Sequence, residues 1–286
     1  MIKRLVRILS HGPLHIVIIL IALIWMLPSI GLLVTSFRPA PDVAASGWWT
    51  VFKTPFDFTR YTLKNYETVV TRGNIGRAFL NSLIITIPAT ILPIVIAAFA
   101  AYAFAWMRFI GRQILFIILI ALLVVPLQMT MIPILRIFNR LHLAGTFPGI
   151  WLAHTGYGLP FAIYLLHNFI AGLPRELFDS ASIDGASPFY TFLMLVLPLS
   201  MSAIASLAIF QFLWVWNDLL VALVYLGGTQ DVAPLTVQVS SLVGSYGQSW
   251  ELLTAAVFIS MALPLILFFA LQRYFVRGIL AGSIKG

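Results

Sequence analysis

Ionisable side chains are scarce in this sequence, and one short stretch gathers them at a readable spacing. The segment Gly172-Leu173-Pro174-Arg175-Glu176-Leu177-Phe178-Asp179-Ser180-Ala181-Ser182-Ile183-Asp184-Gly185-Ala186-Ser187-Pro188 holds three of the nine acidic residues. Pro174 suits the first position of a helix and Gly185 the left-handed residue just past its end, which predicts a helix of about ten residues. Leu177, Phe178 and Ala181 fall on one side of it by i, i+3, i+4 spacing, with Glu176, Asp179 and Asp184 placed around it. The chemistry this suits is docking. Small Ala181 and terminal Gly185 let a partner approach the backbone, and the carboxylates can pair with basic side chains around a groove. A plain amphipathic linker lying on the membrane surface or on its own bundle is the alternative. Ser187 can cap the next helix with Pro188 at its first position, so the chain leaves by a sharp turn.

Other reactive constellations are missing from the sequence. No G-x-x-x-x-G-K-[ST] occurs, so no phosphate-cradling loop can be assigned. His154 and His167 are thirteen residues apart, which puts them more than half a helix circumference out of register and argues against a metal pair. No H-E-x-x-H, G-x-S-x-G or paired intramembrane carboxylate points to a membrane enzyme, and there are no cysteines. No catalytic residue, metal site or cofactor of the chain's own is therefore expected. The net charge of +8 comes from Lys and Arg spread over loops and termini, which argues against a nucleic-acid partner.

The elements that must position the acidic segment are membrane helices. Of 286 residues 61% are hydrophobic and 9% charged, and several uncharged stretches exceed the roughly 18 residues that a crossing requires. The pattern predicts an all-α integral membrane protein with six transmembrane helices. The divisions are an N-terminus 1–13, a first span 14–37, an external loop 38–78, a five-span core 79–272 containing the loop 172–188, and a tail 273–286. Inside the core the spans fall at about 79–106, 114–135, 147–171, 189–217 and 252–272. A cleaved signal peptide competes with the first span, but its apolar stretch exceeds the roughly 7–15 residues of such a peptide. Pro88, Pro93, Pro126, Pro160, Pro198 and Pro264 lie within spans, where each favours a kink or is tolerated by its neighbours. With six spans both termini share a side. That side carries nine Lys and Arg on short loops against eight on long ones, which favours termini inside.

The acidic segment resembles the EAA loop of ABC importer permeases, on Asp179-Ser180-Ala181-Ser182-Ile183-Asp184-Gly185-Ala186 and the later Leu197-Pro198-Leu199. Asp179 stands where that family usually has Glu, and Ser180 where it usually has Ala. Phe210-Gln211-Phe212-Leu213-Trp214-Val215-Trp216-Asn217-Asp218 resembles carbohydrate importer permeases of the maltose type, in particular the smaller of its permeases. So does the ending Arg273-Tyr274-Phe275-Val276-Arg277-Gly278 with Ala281-Gly282 and Lys285-Gly286. The similarity covers nearly the whole chain, best from about residue 76.

This resemblance implies a permease subunit of an ATP-driven sugar importer in a bacterial inner or cell membrane. Both termini and the short coupling helix between spans four and five would be cytoplasmic. Implied partners are a second homologous permease, two ATPase subunits carrying ATP and Mg, an external substrate-binding protein, membrane lipid and the sugar. Glu176, Leu177, Phe178, Asp179, Ala181, Asp184, Gly185 and Ala186 would couple to the ATPase. Trp214, Trp216, Asn217 and Asp218 would line the outer pathway, since aromatic faces and hydrogen-bonding groups suit a sugar; an interfacial aromatic belt is the alternative. Ser245-Tyr246-Gly247-Gln248-Ser249-Trp250 resembles permeases for α-glucosides or related disaccharides. A secondary carrier for a small polar solute is the competing function; it would usually place ionisable groups deep in the bilayer, whereas here the acids lie in loops or near span ends.

Overall fold

The computed structural model describes residues 2–55, 57–72, 74–245 and 249–283. Among the described residues there is no strand, and the helices run α1 Ile2–Ser36, α2 Ala40–Ala45, α3 Lys64–Arg72, α4 Ile75–Trp106, α5 Arg112–Leu122, α6 Leu127–Arg140 and α7 Phe147–Ile170. They continue as α8 Arg175–Ile183, α9 Pro188–Thr191, α10 Leu197–Leu199, α11 Met201–Trp216, α12 Leu220–Leu226, α13 Leu235–Ser245 and α14 Trp250–Ser283. The protein is an all-α membrane protein. Its described helices include three that are long and apolar enough to cross a bilayer unaided, within α1, α4 and α14.

The other expected spans take different forms. The stretch read as span three is broken into α5 and α6, which meet at 103°. Pro126 supplies no N–H and stands as the extended cap of α6, while Val124 and Val125 close tighter turns onto Ala121 and Leu122. The stretch read as span five is bent by 73°. It passes through a π-helical turn, Phe192–Val196, and α10 before α11 begins at Met201. Span four is one helix, α7, which carries three glycines, two histidines and an asparagine among its apolar residues. Pro88 and Pro93 sit inside an unbroken α4.

Three boundaries differ from the sequence reading. Helix α1 already begins at Ile2, so residues 2–13 of the expected terminal segment are part of it. Helix α4 starts at Ile75, inside the expected loop 38–78, because Arg77, on its first turn, pairs with Asp231 at 2.9 Å and Asn81 donates to the carbonyls of Asp231 and Ala233. Helix α14 continues through the expected tail to Ser283.

Contacts divide the chain into two units, residues 1–75 with 239–259, and residues 76–238 with 260–286. In the first unit, the segment after α1 is folded by hydrogen bonds to the end of that helix. Asn65 Nδ2 donates to the carbonyls of Ser36 and Arg38, and the Arg38 guanidinium donates to Asp42 O, Ser46 O and Ser46 Oγ. In the second unit, one apolar cluster joins Ile85, Ile150, Val215, Val221 and Tyr225. A second joins Ala101, Tyr102, Leu166, Ile170, Phe178 and Phe192. These two clusters hold the ends of α7 and thereby the two segments singled out by the sequence.

Candidate functional site

The acidic loop folds as its punctuation dictates. Pro174 stands just before α8, at the N-cap and not at the expected first helical position, and the nine residues of the helix end at Ile183. Gly185 has φ +74, Ala186 N–H donates to Ala181 O at 2.9 Å and Gly185 N–H to Ser182 O at 3.1 Å. This pair of bonds closes a helix end around a left-handed residue, which L side chains enter at a cost. Ser187 Oγ then accepts from Tyr190 N–H, and Pro188 opens α9. The first turn of α8 carries Glu176, placed favourably for the helix dipole.

Its side chains divide unevenly. Glu176, Leu177, Asp179 and Asp184 are exposed, Ala181 and Ala186 half-buried, and Ile183 is 86% exposed. Phe178 departs from the expected common face with Leu177 and Ala181: it is 8% exposed and stacks on Trp106 with ring centroids 3.7 Å apart. The reason is the end of α4, where the indole offers an apolar plane directly under α8. Arg175 and Asp179 form an exposed i, i+4 pair at 3.7 Å.

The second candidate segment closes α11. Trp214 is 38% exposed and lies beside two cavities of about 290 and 690 Å³, which also share Tyr157. Trp216 does not join it. That side chain is 2% exposed, sits edge-on to Phe79 and donates its Nε1–H to Ser260 O at 3.0 Å. Two residues on a helix stand about 200° apart, so these two indoles cannot share a wall. Asn217 Nδ2 donates back to Leu213 O, and Asp218 accepts from Val221 N–H and Ala222 N–H, capping α12. The four expected pathway residues thus comprise one cavity-facing indole, one core indole and two residues engaged with helix ends.

Residues outside the four expected pathway positions complete this region. His154 is 1% exposed, with Nε2 at 3.8 Å from Asp218 Oδ2 and its ring edge-on to Trp214 at 5.3 Å. Gln211 crosses from α11 to donate to Ala89 O on α4. It passes where Gly158 has no side chain, since a Cβ there would stand 2.8 Å from Gln211 Nε2. Among the described residues no three His, Asp or Glu side chains converge as metal ligands.

Residues 93–281 match the family described as the binding-protein-dependent transport system inner membrane component. The chain belongs to this family. Both candidate segments fall inside the matched region. Similar curated proteins include the osmoprotective compounds uptake permease protein GgtD of Synechocystis sp., 63% identical over 96% of this chain and 92% of that protein. The alpha-glucoside transport system permease protein AglG of Rhizobium meliloti is 43% identical over 95% of this chain and 96% of its own length. A solved bacterial ABC transporter involved in import of the acidic polysaccharide alginate shares the fold, with a TM-score of 0.64 at 17% identity over 96% of this chain and 99% of that one.

In this inner membrane component, α8 is therefore a helix exposed along most of its surface and set between two helices of the bundle. Trp106 escaped the sequence reading because it ends an apolar helix with nothing local to distinguish it from its neighbours. His154 entered the sequence reading only beside His167, as a metal pair that their spacing argues against.

Proposed function

We propose that this chain is the non-catalytic permease subunit of an ATP-driven importer for a sugar or small glucoside. It forms half of the pathway beside a second, homologous permease. Two ATPase subunits supply ATP and Mg, and an external binding protein delivers the solute. The protein is multi-pass in a bacterial inner or cell membrane, with both termini and the loop 172–188 cytoplasmic. The observation that carries this reading is α8 itself, an exposed, acidic, sharply terminated helix in a chain without a phosphate-binding loop of its own. ATP-driven closure of the partner subunits would bias a two-state bundle through it.

Glu176, Leu177, Asp179, Ala181, Asp184, Gly185 and Ala186 make the coupling surface, and Phe178 ties that surface to the bundle. In the outer half, Trp214 is the pathway candidate with cavity access. Relatives named for alpha-glucosides and for osmoprotective compounds support a small neutral glucoside or disaccharide as substrate. The resembling segment near 245–250 falls partly on residues 246–248, outside the described residues.

Affinity purification from native membranes in mild detergent, followed by mass spectrometry, tests the reading. A second permease and a Walker-motif ATPase should copurify at stoichiometric level. Recovery of the chain alone across several detergents, with uptake abolished by an ionophore in ATP-supplied vesicles, would transfer the assignment to a secondary carrier.

A further inference from the structure

Helix α8 is joined to the bundle through a single buried side chain, and the geometry around it is specific. Phe178 is the only residue of α8 that is buried. Its ring lies nearly parallel to the Trp106 indole, at 17° and 3.7 Å. That indole is itself fixed, because Nε1–H donates to the carbonyl of Ile170 at 3.0 Å. Trp106 is the last residue of α4 and Ile170 the last of α7. One side chain thus ties α8 to the ends of two long helices.

The same face of α4 also holds the chain after the Gly185 turn. Phe99, Tyr102 and Trp106 recur at i, i+3 and i+7, the spacing of one helical stripe. Phe99 stacks on Phe192 at 4.4 Å and faces Phe189 at 6.3 Å, while Tyr102 contacts Phe192 at 5.6 Å. Phe192 opens the π-helical turn that precedes the 73° bend. The stripe therefore grips the segments on both sides of α8, one of them at the start of the most irregular part of the bundle.

We infer that Trp106 is the positioning residue through which displacement of α8 is delivered to α4 and α7, setting how tightly ATP turnover on the partner is tied to opening of the pathway. The inference rests on α8 being the ATPase-coupling helix. Stacked rings resist separation and shear together, so a push on α8 moves the end of α4 instead of sliding over it. Removing the indole leaves α8 able to dock outward but attached to the bundle only by its flanking turns. Docking and transmission are thereby separable, since they use different side chains of the helix.

The test is solute transported per ATP hydrolysed, measured on the complete complex reconstituted with its binding protein. Trp106→Leu should retain the ATPase subunits and ATP hydrolysis while transport per ATP falls about tenfold. Trp106→Phe keeps a stacking ring and should stay within about threefold of the unmodified complex. Trp151→Phe, which removes another indole donor that serves a backbone carbonyl, should leave the ratio unchanged. Because the chain has no cysteines, a short bis-maleimide linker can join Trp106→Cys to Phe178→Cys; linking should restore the ratio that the unlinked pair loses. An unchanged ratio in Trp106→Leu, equal losses of hydrolysis and transport, or no recovery on linking would each overturn the inference. Absence of any ATPase from the unmodified preparation would instead remove the coupling reading on which it rests.

Discussion

Helix α8 and the polar end of α11 are both short polar interruptions in an apolar chain, yet they are built by opposite means. The first is fixed by its own neighbours in sequence: a Pro cap, a left-handed Gly185 and a Ser187 cap for the helix that follows. Most of its side chains are left pointing away from the bundle. The second is fixed by distant parts of the chain. Trp216 reaches Ser260, Gln211 reaches Ala89, and Thr236 Oγ1 donates to Asp218 O. Its polar groups are largely consumed in holding the bundle together. On the proposed reading, the exposed face of α8 can be specified by local rules because its own fold does not compete for the side chains. A wall inside the bundle has to satisfy packing and buried polar groups first, and of the four residues at the end of α11 only Trp214 keeps a face toward a cavity, which makes it the proposed solute contact.

Breaking the local device should have the largest effect. At Gly185 a Cβ would meet nothing within 4 Å, so substitution acts through backbone conformation and not through a clash. A β-branched residue at φ +74 costs about 1–2 kcal/mol and redirects the chain as it leaves α8. Gly185→Val should reduce ATP-coupled uptake in vesicles to background while membrane abundance, read by immunoblot, is unchanged. Gly185→Asn, which tolerates the left-handed region, should keep most of it. Normal uptake by the valine variant would separate the turn from coupling.

The two tryptophans sharpen the other side of the comparison. Trp216→Ala should lower the detergent melting temperature of the purified complex, since emptying a buried aromatic site costs about 3–5 kcal/mol. Trp214→Ala should leave that temperature nearly unchanged and raise the KM for uptake about fivefold, as expected for loss of one aromatic stacking contact of about 1 kcal/mol. If KM is the same in both variants as in the unmodified protein, Trp214 belongs to an interfacial belt and the outer pathway lies elsewhere.

Legibility in the sequence follows the same division. The long apolar helices, the helix in 172–188 and its terminal turn were readable because each depends on hydropathy or on residues within a few positions. The broken spans were not. Of the prolines within expected spans, those at 126 and 198 lie at or near bends of more than 40°, whereas Pro88 and Pro93 leave α4 unbroken. A proline removes one hydrogen bond wherever it stands, but whether the helix breaks depends on what the neighbours offer the freed carbonyl. Trp106, Gln211 and His154 were invisible as site residues for a related reason. Their roles arise from partners such as Ile170 O, Ala89 O and Asp218, which are distant in sequence.

The smallest expected effect bears on what the acids of α8 are for. The Arg175–Asp179 pair has side chains 75% and 65% exposed, and such pairs contribute about 0.5 kcal/mol or less. Here the basic member comes first, which is the weaker orientation on a helix, and Arg175 faces the positive end of the dipole. Asp179 therefore does little for the stability of α8, and its charge is available to a basic groove. Asp179→Asn should lower ATP-coupled uptake about threefold, one charge-assisted contact's worth at an exposed interface, without shifting the melting temperature. Arg175→Ala should change neither reading. Equal losses in the two variants would instead make the intrahelical pair the reason for Asp179, and would leave Leu177, Ala181 and Gly185 as the parts of α8 that meet the partner.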